Sequence, residues 1–331
     1  MAQQTSFQAV LDSLLETKNE FPSRYLLYFS DLDPDSVKRF LDVWPRVKPT
    51  RKLLLLDQLV SLLDSDTLVS FEDLGRALLS DPDAEVRARA IRLLAESDDA
   101  KLVPTFINIL KNDKELAPRM EAATLLGEFV MLGELEELPE KLHHDAEDAL
   151  LAIEGSDEKP SLRRRALESL GYSERPEAAT VIKSAFHRED PEWKTSALIA
   201  MGRSSDSAWE DSVISMLLSE DPRTRHAAVE AAGELRLDSA RPILLKMFED
   251  EDDDDVASAI IWSLSEVGGE EVRIYLMHLL DQAQDEELVE YLEDALSNLD
   301  FTEELNHFDL LSLDGDEDLM EIDEDEEEDE R

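Results

Sequence analysis

The sequence predicts an all-α chain wound as a right-handed α-solenoid of about seven helical hairpins, followed by an acidic disordered tail. Three observations predict it. Gly (10) and Pro (13) are too few for a sheet protein of 331 residues, which needs many more turn positions. A single closed core stops growing at roughly 250–300 residues, whereas a stack of repeats has no such ceiling. Most directly, a ten-residue pattern recurs: VRARAIRLLA (86–95), PRMEAATLLG (118–127), LRRRALESLG (162–171), WKTSALIAMG (193–202), TRHAAVEAAG (224–233), VASAIIWSLS (256–265) and, more weakly, LVEYLEDALS (288–297). Its second positions are Arg87, Arg119, Arg163, Lys194, Arg225, Ala257 and Val289, at intervals of 32, 44, 31, 31, 32 and 32 residues.

Residues 1–48 read as an N-terminal helical cap. Phe7, Val10, Leu11, Leu14 and Leu15 share one helical face, and DPDSVKRFLDVW (33–44) starts a second helix that Pro45 closes. Covering the exposed end of the stack is the expected use of this segment; a partner-docking arm is the alternative. The repeat array spans 49–312. It opens with a degenerate pair at 50–63 and 70–80.

Within each repeat the first helix carries its apolar positions on one side, as Val86, Ala90, Leu93 and Leu94 do. Small residues dominate that side later on (Ala197, Ala200, Ala228, Ala231), which lets a neighbouring helix approach closely. Asp81-Pro82, Asp190-Pro191 and Asp221-Pro222 read as helix starts, with Asp as N-cap and Pro at the first helical position. Gly127, Gly171, Gly202 and Gly233 read as helix ends in the left-handed conformation.

A second helix follows each first one. Its apolar triplets are Phe106/Ile109/Leu110, Ile182/Ala185/Phe186, Val213/Met216/Leu217, Leu244/Met247/Phe248 and Leu276/Leu279/Leu280. A hairpin with one apolar side per helix cannot bury that side alone, and stacking on the next hairpin does so. The one long interval is an insertion at about 128–140, expected to extend a first helix through Leu132 and lengthen the turn around Gly133–Pro139. Insertions in such arrays often lie on the binding face, though drift without function accounts for it equally. After the array, Asp300 and Glu303 form a capping-box pattern before a helix over 301–312. Residues 313–331 hold 13 acids and one Arg, too charged to fold alone. Leu319, Met320 and Ile322 interrupt the acid there, as a short docking motif or incidentally.

These units resemble HEAT repeats, in particular the short kind of roughly 31 residues in phycobilisome-lyase-like (PBS lyase HEAT-like) proteins. DPDAEVRARAIRLLA and DPRTRHAAVEAAG carry the match. The resemblance implies an armadillo-like superhelix and leaves function open, because that fold hosts scaffolds, transport receptors and a few enzymes.

The chain has 80 acids against 33 bases, a formal charge of −47. Such a field repels phosphate and anionic lipid, so neither nucleic acid nor a membrane surface is an expected partner. Solubility or salt adaptation accounts for the charge, and so does a basic partner. The absence of cysteine excludes disulfides and thiolate chemistry and fits a reducing compartment. With no basic-then-apolar N-terminal stretch, the expected location is cytoplasmic.

The basic column Arg87, Arg119, Arg163, Lys194 and Arg225 is expected to pair with Asp81, Asp190 and Asp221 as an inter-repeat ladder, ahead of any anion-binding role. HEAT-type di-iron hydroxylases use repeated His-Glu pairs. Of His143, His144, His187, His226, His278 and His307, none precedes Glu, and His144-Asp145 is the nearest match. No catalytic residue, metal ligand or cofactor is therefore assigned. Trp193, Trp209 and Trp262 suit a bilin groove by residue type only, with packing the default role for Trp193 and Trp262.

The expected function is a non-catalytic scaffold for another protein, with a basic one as the expected kind, rather than for a small molecule. Polar residues on the second helices, Asn108, Lys183, Glu210 and Ser215, are the expected contacts. A phycobilisome-lyase-like enzyme acting on a bilin or another cofactor, as lyase, isomerase or oxidoreductase, is the alternative that the resemblance implies.

Overall fold

The computed structural model describes residues 6–16 and 18–317, with side chains through residue 304. The described residues form helices and no strand. No helix among them is long and apolar enough to cross a membrane. The chain divides into two compact units, Met1–Ser184 and Ala185–Arg331.

The first unit holds α1 (Phe7–Leu15), α2 (Pro34–Val43), α3 (Pro49–Ser65), α4 (Glu72–Leu78), α5 (Ala84–Arg92), α6 (Leu102–Asn112), α7 (Leu116–Glu134), α8 (Glu140–Glu154) and α9 (Pro160–Ser169). Helix α10 (Pro176–Phe186) ends just past the boundary. The second unit holds α11 (Pro191–Arg203), α12 (Glu210–Ile214), α13 (Pro222–Glu234), α14 (Arg241–Asp250), α15 (Asp254–Val267), α16 (Glu270–Gln282) and α17 (Glu286–Glu317). From α3 to α16 these pair as seven hairpins, the degenerate opening pair being α3 and α4, while the expected last hairpin at 288–312 is the single helix α17. First helix packs on first helix: α3 on α5, α5 on α7 and α7 on α9 in one unit, and α11 on α13, α13 on α15 and α15 on α17 in the other. Second helices lean on first helices beside them: α6 and α8 on α7, α12 on α13 and α14 on α15.

The N-terminal residues share one apolar core with α3–α5. Val10, Leu11, Leu14, Phe29, Phe40 and Trp44 are buried together with Leu55, Leu56, Leu59 and Val86. Aromatic edges continue the contact, Phe7 to Phe29 at 6.0 Å and Phe29 to Phe40 at 5.9 Å. The buried Arg51 guanidinium donates to the Glu16 and Asn19 carbonyls at 2.6 and 2.5 Å, satisfying backbone groups where the chain leaves α1. Trp44 Nε1 donates to the buried Asp81 carboxylate at 2.7 Å. This changes the reading of Asp81. The N-cap of α5 is Asp83, which accepts from the Glu85 amide, while Asp81 ties the N-terminal helices to the array. Asp190 does cap α11. Asp221 occupies the N-cap position of α13 but accepts from the Thr224 hydroxyl at 2.8 Å.

The glycines also act differently from expectation. Gly127, Gly202 and Gly233 lie within helices, and Gly171 lies in a 3-10 turn. The positive-φ glycines among the described residues are Gly268 and Gly269. Non-glycine residues take the left-handed positions after α7, α11 and α13: Glu136, Ser205 and Arg236. Schellman-type bonds run from Glu137 N to Leu132 O and from Leu237 N to Ala232 O. The glycines serve helix approach instead. A methyl group on Gly127 would lie 2.9 Å from Ser169 Cβ, and one on Gly233 would lie 2.8 Å from Ser263 Cα.

Two expected boundaries shift. The insertion lengthens α7 to Glu134, two residues past Leu132, before a turn that ends at Pro139. At the C-terminal end, the expected break near Asp300 is absent. Helix α17 runs unbroken to Glu317, past the expected start of the acidic tail at 313, because SNLDF offers neither Gly nor Pro to stop it. Asp300 and Glu303 form no capping box and instead hold Arg273 at 2.6 and 2.5 Å.

The basic column bridges successive repeats through acids other than those expected. Arg87 forks onto Asp113 at 2.7 and 2.8 Å, Arg119 onto Glu158 at 2.6 and 3.1 Å, and Arg225 onto Glu251 at 2.7 Å. Each acid precedes the first helix of the next repeat. The same guanidiniums donate to the carbonyls of Asp81, Leu110 and Ser219. Arg163 donates to the Glu154 carbonyl at 2.6 Å and lies 3.5 Å from its carboxylate. Lys194 makes no ion pair among the described residues. A flexible ammonium cannot reproduce the planar two-point fork. Hydrogen bonds from Arg225 hold the Glu251 carboxyl below its ordinary range.

Arg225→Met strands Glu251, whose side chain is 7% exposed, and should cost on the order of 3 kcal/mol by chemical denaturation. Lys194→Met should stay within about 0.5 kcal/mol of wild type. Gly127→Leu should overpack the α7–α9 contact and cost about 1–3 kcal/mol in the same assay.

Candidate functional site

The second unit carries an open groove of about 740 Å³ over α11, α13, α15 and α17. It lies on the first helices, whereas the expected contact row lay on the second ones. Small residues make its floor, because Ala227, Ala259 and Ser263 fill little of the space between successive helices. Longer side chains rise around them at helical spacing: His226, Glu230 and Glu234 on α13, and Trp262 and Glu266 on α15. Asp253 and Asp255 stand at the start of α15, and Tyr291 closes the side formed by α17.

Gly202 and Gly233 help shape this rim. A side chain on Gly202 would collide with the Glu234 carboxylate, and one on Gly233 with the Glu266 carboxylate. Each glycine thus leaves room for the glutamate of the next repeat to lie back across it. One repeat later Ser265 and Asn298 meet instead, by a hydrogen bond of 2.9 Å.

The groove is acidic and holds its protons unusually. Glu234 remains exposed at the rim. Even so, the protein around it shuts out enough water to push its carboxyl up to about 7, with repulsion from Glu230 and Glu266 adding and Arg203 opposing. Loss of hydration likewise raises Glu266, against a hydrogen bond from Trp262. His226 Nδ1 lies 3.1 Å from Glu230, and that hydrogen bond raises the imidazole despite its partial burial.

Trp262 is 38% exposed, so it does not have the packing role expected of it, and its ring lies 6.4 Å from that of Tyr291. Tyr291 donates to the Ser258 carbonyl at 2.9 Å, which fixes its ring against α15. Carboxylates around an aromatic face form a site for a cation with an apolar stem. Ser263 is no nucleophile here: its hydroxyl donates to the Val229 carbonyl at 2.9 Å.

The residues expected to bind a partner do not line this groove. Asn108 is exposed on α6 and accepts from Asn112, and Lys183 is exposed on α10. Glu210 accepts from Ser239, and Ser215 donates to the Ser212 carbonyl. Leu319, Met320 and Ile322 lie outside the described residues. Trp193 is buried, as expected, and Trp209 is half-buried.

HEAT repeats match residues 71–150, 181–265 and 210–297, together more than half of the chain. The chain is a HEAT-repeat protein. No curated protein matches its sequence. Among solved structures it is similar to the CpcE–CpcF complex of phycocyanin lyase from Nostoc sp. PCC7120 (18% identity over 69% of this chain and 94% of that one, TM-score 0.46). It is also similar to human deoxyhypusine hydroxylase (16% identity, 79% and 95% covered, TM-score 0.33). A third is Kap121p bound to Pho4p (13% identity, TM-score 0.41), where this HEAT chain covers 90% of itself and 38% of the larger protein.

The raised carboxyl of Glu234 has a signed consequence for stability. Its folded value of about 7 lies above the ordinary 4.5. Its contribution is therefore full below about 4.5 and is lost as pH rises through about 7. The Tm of wild type relative to Glu234→Gln should fall between about pH 5 and 7, as measured by scanning calorimetry.

Proposed function

We propose that this HEAT-repeat protein is a non-catalytic binding scaffold whose groove over α11, α13, α15 and α17 takes a basic segment of another protein. One observation carries the reading. Five acids, Glu230, Glu234, Asp253, Asp255 and Glu266, surround the Trp262–Tyr291 pair in one groove. A lysine or arginine side chain has the matching parts, an aliphatic stem for the rings and a cationic head for the carboxylates. The formal charge of −47 adds long-range steering of a basic partner, which salt weakens.

Protonation gives the groove a direction in pH. Glu234 loses its proton through about 7, and the raised His226 loses its positive charge as pH climbs. Both changes make the groove more negative, while an arginine ligand keeps its charge.

The test uses an arginine-rich peptide of about ten residues, followed by calorimetry and by tryptophan fluorescence. Affinity should rise from pH 6 to pH 8 and fall with added salt. Trp262→Ala should weaken it about tenfold, near 1.4 kcal/mol. Removing residues 313–331 should leave the dependence on Trp262 intact. Equal affinity for wild type, Trp262→Ala and Glu266→Gln would overturn the groove assignment. An absorbance change on adding a tetrapyrrole, abolished by Trp262→Ala, would replace the scaffold with the cofactor-acting alternative.

A further inference from the structure

The insertion that lengthens α7 places three potential metal ligands together in the first unit. Glu134 is the last residue of α7, and His143 and Glu147 stand one turn apart on α8. One ligand atom from each lies within 4.8 Å of the other two. His143 Nε2 is 3.4 Å from Glu134 Oε1 and 3.8 Å from Glu147 Oε1. These separations are long for hydrogen bonds, which span about 2.7–3.2 Å. They fit donors that share an ion, since two ligands about 2.1 Å from a tetrahedral centre stand about 3.4 Å apart.

The polar atoms are also left waiting. Glu147 is 1% exposed, yet its Oε2 accepts no hydrogen bond among the described residues, and His143 Nε2 has no hydrogen-bond partner either. A buried carboxylate oxygen in that condition is costly unless a cation satisfies it. Arg175 approaches only to 3.7 Å and spends its close contact, 2.7 Å, on Asp148.

The surroundings hold the three groups in place. The His143 ring lies over Gly133, where any side chain would displace it, and stacks on His144 at 5.6 Å. Ser173 donates to Glu147 Oε1 at 2.5 Å, and the Glu174 amide donates to Glu134 Oε1 at 2.8 Å. Second contacts of this kind orient metal ligands. The side chains of Glu134 and His143 are 22% and 13% exposed, so the site is reachable from solvent.

We propose that Glu134, His143 and Glu147 bind a single transition-metal dication of the zinc class. One imidazole and two carboxylates suit such an ion better than calcium or magnesium, which favour oxygen alone. The ion ties the end of α7 to α8 and, through Ser173 and Glu174, to the start of the α10 segment. Its fourth position is open to water.

The full chain, stripped with chelator, is titrated with Zn²⁺ and with Co²⁺ in excess Mg²⁺. The Mg²⁺ occupies the carboxylate-rich surface and competes poorly for imidazole. One Zn²⁺ per chain by calorimetry, a visible Co²⁺ absorption band and a raised Tm support the site. His143→Gln and Glu147→Gln should each weaken binding at least about 100-fold, and Ser173→Ala about tenfold, while His278→Ala changes nothing. Wild type without stoichiometric binding would overturn the proposal and leave a water-bridged polar cluster. So would binding that survives both His143→Gln and Glu147→Gln.

Discussion

Everything in this chain depends on first helices lying almost backbone to backbone. A single hairpin leaves an apolar side wet, and burial of apolar surface is the dominant favourable term in folding. The remedy is a neighbour placed very close. Ala197, Ala200, Ala228 and Ala231 are fully buried or nearly so between successive helices. Gly127, Gly202 and Gly233 leave no room for even a methyl group. Close approach of this kind makes the repeat directional, because each helix has one small side and one side that meets it.

That close packing also creates the groove. Where small residues form the floor, larger side chains stand clear of it, and the second unit places carboxylates and aromatic rings there. Glu234 and Glu266 lie across the glycines of the preceding repeat, so a packing residue in one repeat sets the position of a polar residue in the next. Crowding there raises the proton affinity of both carboxyls. The arginine ladder works at the same joints from another side. It occupies backbone carbonyls and fastens the acid that opens the next repeat.

Sequence reasoning located the repeats well and their polar contacts less well. Periodicity is a local property, so the hairpins could be read from spacing alone. Glycine was harder. Gly202 and Gly233 stand where helix caps often stand, and only the neighbouring helix reveals that they leave space for a glutamate. Asp81 resembles an N-cap but is buried against Trp44, a residue 37 positions earlier. The groove was missed because its members look ordinary singly. Glu230, Glu234 and Glu266 belong to no motif in the sequence, and Trp262 reads as core. The one available signal was a large aromatic in a repeat column otherwise held by Arg92, Thr124, Glu168, Ile199, Glu230 and Asp294. The Glu134–His143–Glu147 cluster does not show as adjacent His-Glu pairs, because its ligands come from two helices.

The sequence by itself determined the helical class, the beat of the hairpins, the long first helix at the insertion and the acidity of the surface. These rest on short-range spacing and composition, which need no partner to be expressed. Tertiary structure decided which acid each arginine holds, which face carries a groove, why the glycines are glycines and where unsatisfied ligands converge. Those outcomes depend on distances between residues about thirty positions apart, and only the stacking of one repeat on the next fixes such distances.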